Sequence, residues 1–427
     1  MFSKFKIRQL ILILALFLFC FRLNIIINTF ILILLYIQVF INSPSVAIAQ
    51  TDYPLIDLLI SVIFLIVIII YLLTIGKKAK VSQISINLTT VVIILLLSFF
   101  FFAPLITDDN PDFQKDLAVT KLLPPLSTVK VLHLKSNDNY GNNSTAKFIG
   151  LKNRLIKKSF NENLIFADSI SMENNFLYYQ NGSGILITPD KLVFKNNYPF
   201  ITNKTFILGT DELGRDIFIR LIYGTRISLF IGLGSVIISL LLGLIMGFIA
   251  GYSEGITDTV LNRLADMFLA FPVVFFIILI IALFGNSLLC VMVVLGFSGW
   301  MSLFKIVRSE VISLKNKDFF ISAQHIGLSK TNLLLKETLP YMLIPIIVNL
   351  VFQYGNVILA EAALSYLGLG TGSNYPSWGS MIEAGQNYIS QAWWMILFPG
   401  LALFFTLFAA NSLGRKISSL YKFQVKE

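Results

Sequence analysis

The stretch DFFISAQHIGLSKTNLLLKETLP, Asp318 to Pro340, lies between two long apolar runs and is where polar groups, a helix break and a second helix follow in close order. Asp318 can cap a short helix through Phe319–Ile326. Gly327 ends or bends that helix, because a residue without a Cβ tolerates a left-handed backbone at low cost. Ser329 offers a second N-cap, and residues Thr331–Thr338 continue as helix before Pro340 opens the next apolar run. A helix, a glycine turn and a second helix beside basic residues form either a knob that docks into another protein's groove or a plain capped connector between two membrane spans.

Composition sets the surroundings of that loop. Of 427 residues, 56% are hydrophobic and 13% charged, with a mean hydropathy of +0.79. Soluble domains carry about twice that charge, so the chain reads as an all-α polytopic membrane protein. A net charge of +10 suits lysines and arginines that fix orientation at span ends and does not call for nucleic acid. Cys20 and Cys290 are far apart, and neither they nor the isolated His133 and His325 suggest a metal site.

Outward from the loop, apolar runs at 288–307, 267–285 and 227–250 precede it, and runs at 341–367 and 394–413 follow. Lys305, Arg308, Lys315 and Lys317 flank the loop, and Arg415, Lys416 and Lys422 close the chain, so both clusters are cytoplasmic if the spans alternate. These five runs and the loop make up 206–427, and 107–205 before them is a polar insertion. In it Thr128–Leu134 and Gly184–Thr188 alternate as half-buried strands, which predicts a small β-rich extracytoplasmic domain. Residues 86–106 form one span, and 1–85 an extension with apolar runs at 10–41 and 55–74. The first run ends in Ala47-Ile48-Ala49, either a signal-peptide cleavage site or part of an uncleaved anchor. Lys77, Lys78 and Lys80 belong inside. Eight spans result.

Two constellations stand out on residue type alone. Small residues recur every four positions at Ser235, Ser239, Gly243, Gly247 and Gly251, a stripe that lets another helix approach closely. Asn349, Gln353 and Asn356 share one helical face at membrane depth, where they either line a translocation path or hydrogen-bond between helices. Glu361, near the outer end, is either a gate or interface residue or the partner of an arginine. The chain holds no phosphate loop, His-Glu-x-x-His, Gly-x-Ser-x-Gly or Cys-x-x-Cys motif. It reads as a non-enzyme, with no catalytic residue, cofactor or metal of its own.

Gly209-Thr210-Asp211-Glu212-Leu213-Gly214-Arg215-Asp216 is a charged, turn-rich approach to the fourth span, in which Asp211, Glu212, Arg215 and Asp216 can pair. It resembles the Gly-Thr-Asp-x-Leu-Gly-Arg-Asp signature of the dipeptide, oligopeptide and nickel class of ATP-binding-cassette importer permeases. Leu269-Ala270-Phe271-Pro272, Leu359 through Gly370, Pro376-Ser377-Trp378-Gly379 and Leu397-Phe398-Pro399-Gly400 continue the likeness, which covers about 208–413. Ala323, Gly327, Leu339 and Pro340 match that family's coupling loop, although Ile321 replaces its usual glutamate. The resemblance implies a type I importer fold in a bacterial cytoplasmic membrane. It implies a second related permease, two ATP-hydrolysing subunits and an extracytoplasmic solute-binding protein, with the 318–340 loop carrying motion from the ATPases. An ATP-independent channel or secondary transporter, or a scaffold or sensor without transport, are the alternatives. The motifs do not separate peptides from related solutes.

Overall fold

The computed structural model describes residues 7–74, 87–135, 143–157, 163–171, 177–195, 198–253, 255–329, 332–370 and 376–424. The Lys77–Lys80 cluster expected inside the cell falls outside them. Among the described residues seven helices are long and apolar enough to cross a membrane, and a sharply bent helix pair makes an eighth if taken as one span. The chain divides into two compact units, residues 1–223 with 384–398, and residues 224–383 with 399–427.

The first unit opens with α1 (Ile7–Phe21), α2 (Leu23–Asn42), α3 (Pro44–Ala49), α4 (Tyr53–Thr74) and α5 (Leu88–Ile106). The run at 10–41, expected as one span, is therefore two helices that part at Arg22 (φ −106°, ψ 19°). A guanidinium in lipid must find partners. Arg22 donates to the Ile106 carbonyl at 3.0 Å and to Asp108 at 2.5 Å, where α5 ends. The Ala47-Ile48-Ala49 segment is helical, with Ala47 fully buried beside Leu32, Val39, Leu55 and Phe148. Ser61 of α4 donates to the Phe101 carbonyl at 2.7 Å, close to a kink at Phe102 in the Pro104-containing α5.

The insertion is β-rich, as the alternation predicts. It comprises α6 (Leu117–Thr120), β1 (Ser127–His133), α7 (Ser144–Lys152), β2 (Leu164–Ala167), β3 (Ser169–Ser171), β4 (Leu177–Gln180), β5 (Ser183–Leu186), β6 (Phe194–Lys195), β7 (Tyr198–Pro199) and β8 (Ile201–Phe206). Antiparallel strands run in the order β2-β1-β8 and, in a second sheet, β3-β4-β5, with β6-β7 as a two-stranded ribbon. Inward residues Val129 and Val131 meet Val119, Phe166 and Phe206 in the core. Lys152 on α7 bonds back to the Gln50 carbonyl at 2.5 Å and to Asp52 at 2.9 Å, tying the insertion to the turn before α4.

Helix α8 (Ile217–Tyr252) leads into the second unit, which continues with α9 (Ile256–Ala270), α10 (Val273–Phe284), α11 (Leu288–Lys315), α12 (Asp318–His325), α13 (Leu339–Tyr366), α14 (Trp378–Gly385) and, from Pro399 on, most of α15 (Trp394–Gln424). The span expected at 267–285 begins earlier and is broken at Pro272, which lacks the N–H needed to continue a helix. The small-residue stripe on α8 takes α11 side chains into its gaps. A Cβ on Gly243, Gly247 or Gly251 would lie 2.8, 2.6 or 2.7 Å from the Cβ of Leu303, Val307 or Val311. Ser235 and Ser239 donate to the Met292 and Gly296 carbonyls at 2.9 and 2.5 Å. Register advances equally along both helices, so α8 and α11 run parallel and the α9–α10 pair returns the chain between them.

Candidate functional site

In the first unit the signature segment folds into a knot of charge and backbone. Asp211 is its hub. One carboxylate oxygen accepts from the N–H groups of Leu213 (2.9 Å) and Arg215 (2.8 Å), and the other from Arg215 Nε at 2.7 Å. Arg220 lies 3.6 Å from the same oxygen and 3.1 Å from Asp112. Thr210 Oγ1 accepts from the Leu123 N–H, and its carbonyl accepts from the buried Trp394 indole at 3.1 Å. Gly209 and Gly214 take positive φ, and a Cβ on either would sit 2.5 Å from the Leu123 carbonyl or 2.2 Å from Thr120 Oγ1.

Electrostatics within the knot are uneven. Arg215 reaches Glu212 at 3.3 Å, yet burial and the neighbouring Asp211 raise the Glu212 carboxyl above its ordinary range. Asp216, expected to pair with its neighbours, instead caps α8 by accepting from the Phe218 and Ile219 N–H groups. Burial, the largest cause, pushes its pKa up to about 6 against the pull of Lys204. Lys204 is itself paired with Asp109 and lies 5.4–5.7 Å from the rings of Phe113, Phe166 and Phe206.

In the second unit the 318–340 loop has the helix, turn and helix expected of it, with three corrections. Lys317, not Asp318, is the N-cap of α12, and no side chain closes the cap. Asp318 occupies the first helical turn, where its charge still favours the helix dipole. The second helix is a π-helical turn, Leu333–Thr338, that runs directly into α13, with Pro340 tolerated in the first turn. Its N-cap is Asn332, not Ser329, and no side chain closes that cap; Ser329 Oγ accepts from the Asn332 N–H at 3.4 Å. Gly327 turns with φ +85° and has open space around it. Phe320, Ala323 and Leu333 are buried against Tyr252 and Phe319. Ile321, Ile326 and Leu328 face outward, Ile326 being 83% exposed. Leu339 is half-buried and Pro340 exposed.

The polar face of α13 does not act as one surface. Asn349 donates to Ser302 of α11 at 3.1 Å. Gln353 is buried over Gly299, with neither amide atom paired. Asn356 is exposed. Glu361 is fully buried and held by hydroxyls: Ser365 donates at 2.8 Å and Ser228 of α8 at 3.5 Å, and Ser377 also bonds it. Ser228 in turn accepts from the Trp378 N–H at 3.2 Å. Of the two readings of Glu361, pairing with an arginine is not what the described residues show: serines hold it.

Residues 218–420 match the family model described as binding-protein-dependent transport system inner membrane component. A di/tripeptide transport system permease protein of Pseudomonas aeruginosa is 36% identical over 209 residues, 49% of this chain and 69% of that protein. An oligopeptide transport system permease protein of Escherichia coli is 39% identical over 206 residues (48% and 68%), and one of Salmonella typhimurium is 35% identical over 250 (58% and 80%). A chain from inward-facing structures of the MetNI methionine ABC transporter aligns with TM-score 0.35 at 14% identity, covering 46% of this chain and 95% of that one. The family match contains the glycine-turned loop and the serine-held glutamate and begins just after the signature knot. The chain is a multi-pass inner-membrane protein and belongs to the family of binding-protein-dependent transport system inner membrane components.

Proposed function

We propose that this chain is the permease subunit of an ATP-driven importer for peptides or a related small solute. It forms the translocation path with a second, related permease, receives solute from an extracytoplasmic binding protein and is driven by separate ATPase subunits. The observation that carries the reading is the two-faced α12. Its inner face is anchored by Phe320 and Ala323, while Ile321 and, in the turn that follows, Ile326 and Leu328 stand outward. An apolar patch presented on the cytoplasmic side suits a protein groove better than water. Coupling requires the docked helix to prefer different positions in different nucleotide states of the ATPase. The peptide assignment rests on the names of the relatives. Asn356, exposed on α13, is the member of the polar face we assign to the path; Asn349, Gln353 and Glu361 are assigned to packing between helices.

Gly327→Asp tests the reading. Nothing lies within 4 Å of the position its Cβ would take, so the substitution costs about 1 kcal/mol of backbone strain and leaves the spans intact. It sets an unpaired charge in the docking face. ATPase recovered with the permease and solute uptake, both normalised to permease in the membrane, should fall severalfold. Unchanged values would make the loop a connector and end this reading.

A further inference from the structure

The break between α9 and α10 lies at the middle of the membrane, and its surroundings say what covers it. Phe268 before the break and Phe276 after it both pack on Phe297 of α11, with ring centroids 5.7 and 5.9 Å away. Phe297 sits about 14 Å along α11 from Leu288 and about 16 Å from Arg308, at 1.5 Å per residue. Lys305, about 12 Å from Phe297, and Arg308 mark the inner boundary, pairing with Asp266 at 2.6 Å and with Asp258 at 2.5 and 2.6 Å. The break is therefore near the centre of a hydrocarbon layer about 30 Å thick.

At that depth the chain turns by 88°. Phe271 and Pro272 are extended, at φ −84°, ψ 133° and φ −63°, ψ 109°. Helix α9 stops at Ala270, and Pro272 has no N–H, so the last carbonyls of α9 lose their intrahelical donors. Yet Leu269, Phe271 and Phe275 are 47, 51 and 64% exposed on this chain. Irregular backbone does not face lipid within the hydrocarbon; it is covered by protein or lines water. The sequence from Met267 to Phe284 contains no polar side chain. A water-filled path there would wet an unbroken apolar surface, with backbone carbonyls as its sole polar groups.

We propose that the second permease covers this break, so that Leu269–Phe275 forms part of the seam between the two permeases. The partner must offer an apolar transmembrane face carrying at least one hydrogen-bond donor, a hydroxyl, amide or indole N–H, for the freed carbonyls of α9. The inference rests on the permease pair proposed above and adds where on this chain the pair meets.

Nitroxide labels at Phe271→Cys and, as an independent site, Val274→Cys, in a background without Cys20 and Cys290, test it by relaxation. Oxygen reports lipid exposure and a nickel chelate reports water. In the complex purified from native membranes and returned to lipid, both accessibilities should be several-fold lower than in the separately purified chain. A label at Tyr198→Cys, outside the membrane, should remain open to nickel. High oxygen accessibility in the complex would place the break in lipid, and high nickel accessibility would place it in the solute path; either overturns the proposal. A complex that contains the ATPases but no second permease would instead overturn the parent reading.

Discussion

Gly247→Ala puts a number on the α8–α11 contact. The added methyl would lie 2.6 Å from Val307 Cβ and 3.1 Å from the Phe304 carbonyl. Ordinary van der Waals contact needs about 3.5–4.0 Å, and a new rotamer would move Val307 Cγ1 but not its Cβ, so the helices must part by about 1 Å. Overpacking of this kind costs about 1–3 kcal/mol. Alanine's better helix propensity returns up to about 1 kcal/mol, which leaves a net loss of about 1 kcal/mol. Gly400 on α15 supplies the opposite case. Nothing lies within 4 Å of its would-be Cβ, so Gly400→Ala should be neutral or stabilising by about 0.4–1 kcal/mol. Thermal unfolding in detergent, followed by loss of the monodisperse peak, should show Gly247→Ala lowered and Gly400→Ala unchanged or raised. Val307→Gly should lower stability alone but partly rescue Gly247→Ala, because it removes both side-chain atoms in conflict, Cβ and Cγ1. Strict additivity of the two changes would refute the close approach of these helices.

Two further outcomes follow from the knot before α8. Asp211→Ala leaves the buried Arg215 and Arg220 without their shared carboxylate, a loss of about 3–5 kcal/mol; membrane abundance should drop sharply, while Asp112→Ala, on the exposed side of Arg220, should have little effect. Asp216 has a pKa raised to about 6 from 3.8, so the native state holds its proton more tightly than the unfolded chain. Its contribution to stability is complete below 3.8 and is lost as pH rises through 6, about 1 kcal/mol between pH 5 and 7. Subtracting the pH profile of Asp216→Asn, which keeps an acceptor for the α8 cap, should isolate that decline; parallel profiles would show that Asp216 titrates normally.

Periodicity and charge made the membrane class, the span positions and the β-rich insertion legible, because hydrocarbon and the positive-inside bias act on composition over many residues. Gly327 was legible because a positive φ leaves a near-unique residue signature. Other features depend on pairing that no local pattern encodes. Arg22 reads as an interruption until α5 brings the Ile106 carbonyl beside it. Asp216 reads as one more charge in a cluster, whereas the start of α8 turns it into a cap. The α13 polar face was correct as a periodicity, but which of Asn349, Gln353 and Asn356 meets a neighbour is decided by where α11 lies. Pro272 was visible in the motif, and its depth was not, because depth follows from the Phe297 ring on which Phe268 and Phe276 pack.

The pairing of β1 with β8 has a consequence for how such a chain can acquire and lose parts. Ser127 lies opposite Phe206, and the Leu126 N–H bonds the Phe206 carbonyl at 2.8 Å. The insertion therefore leaves and rejoins the chain at neighbouring points, like a clause set between commas. The β3-β4-β5 sheet between those two points can lengthen, shorten or be excised through a short turn, while Leu122 and Leu123 keep their backbone bonds to Asp211 and Thr210. That sheet can thus change while Phe148 and Lys152 of α7 keep their hold on the helices and on the turn before α4.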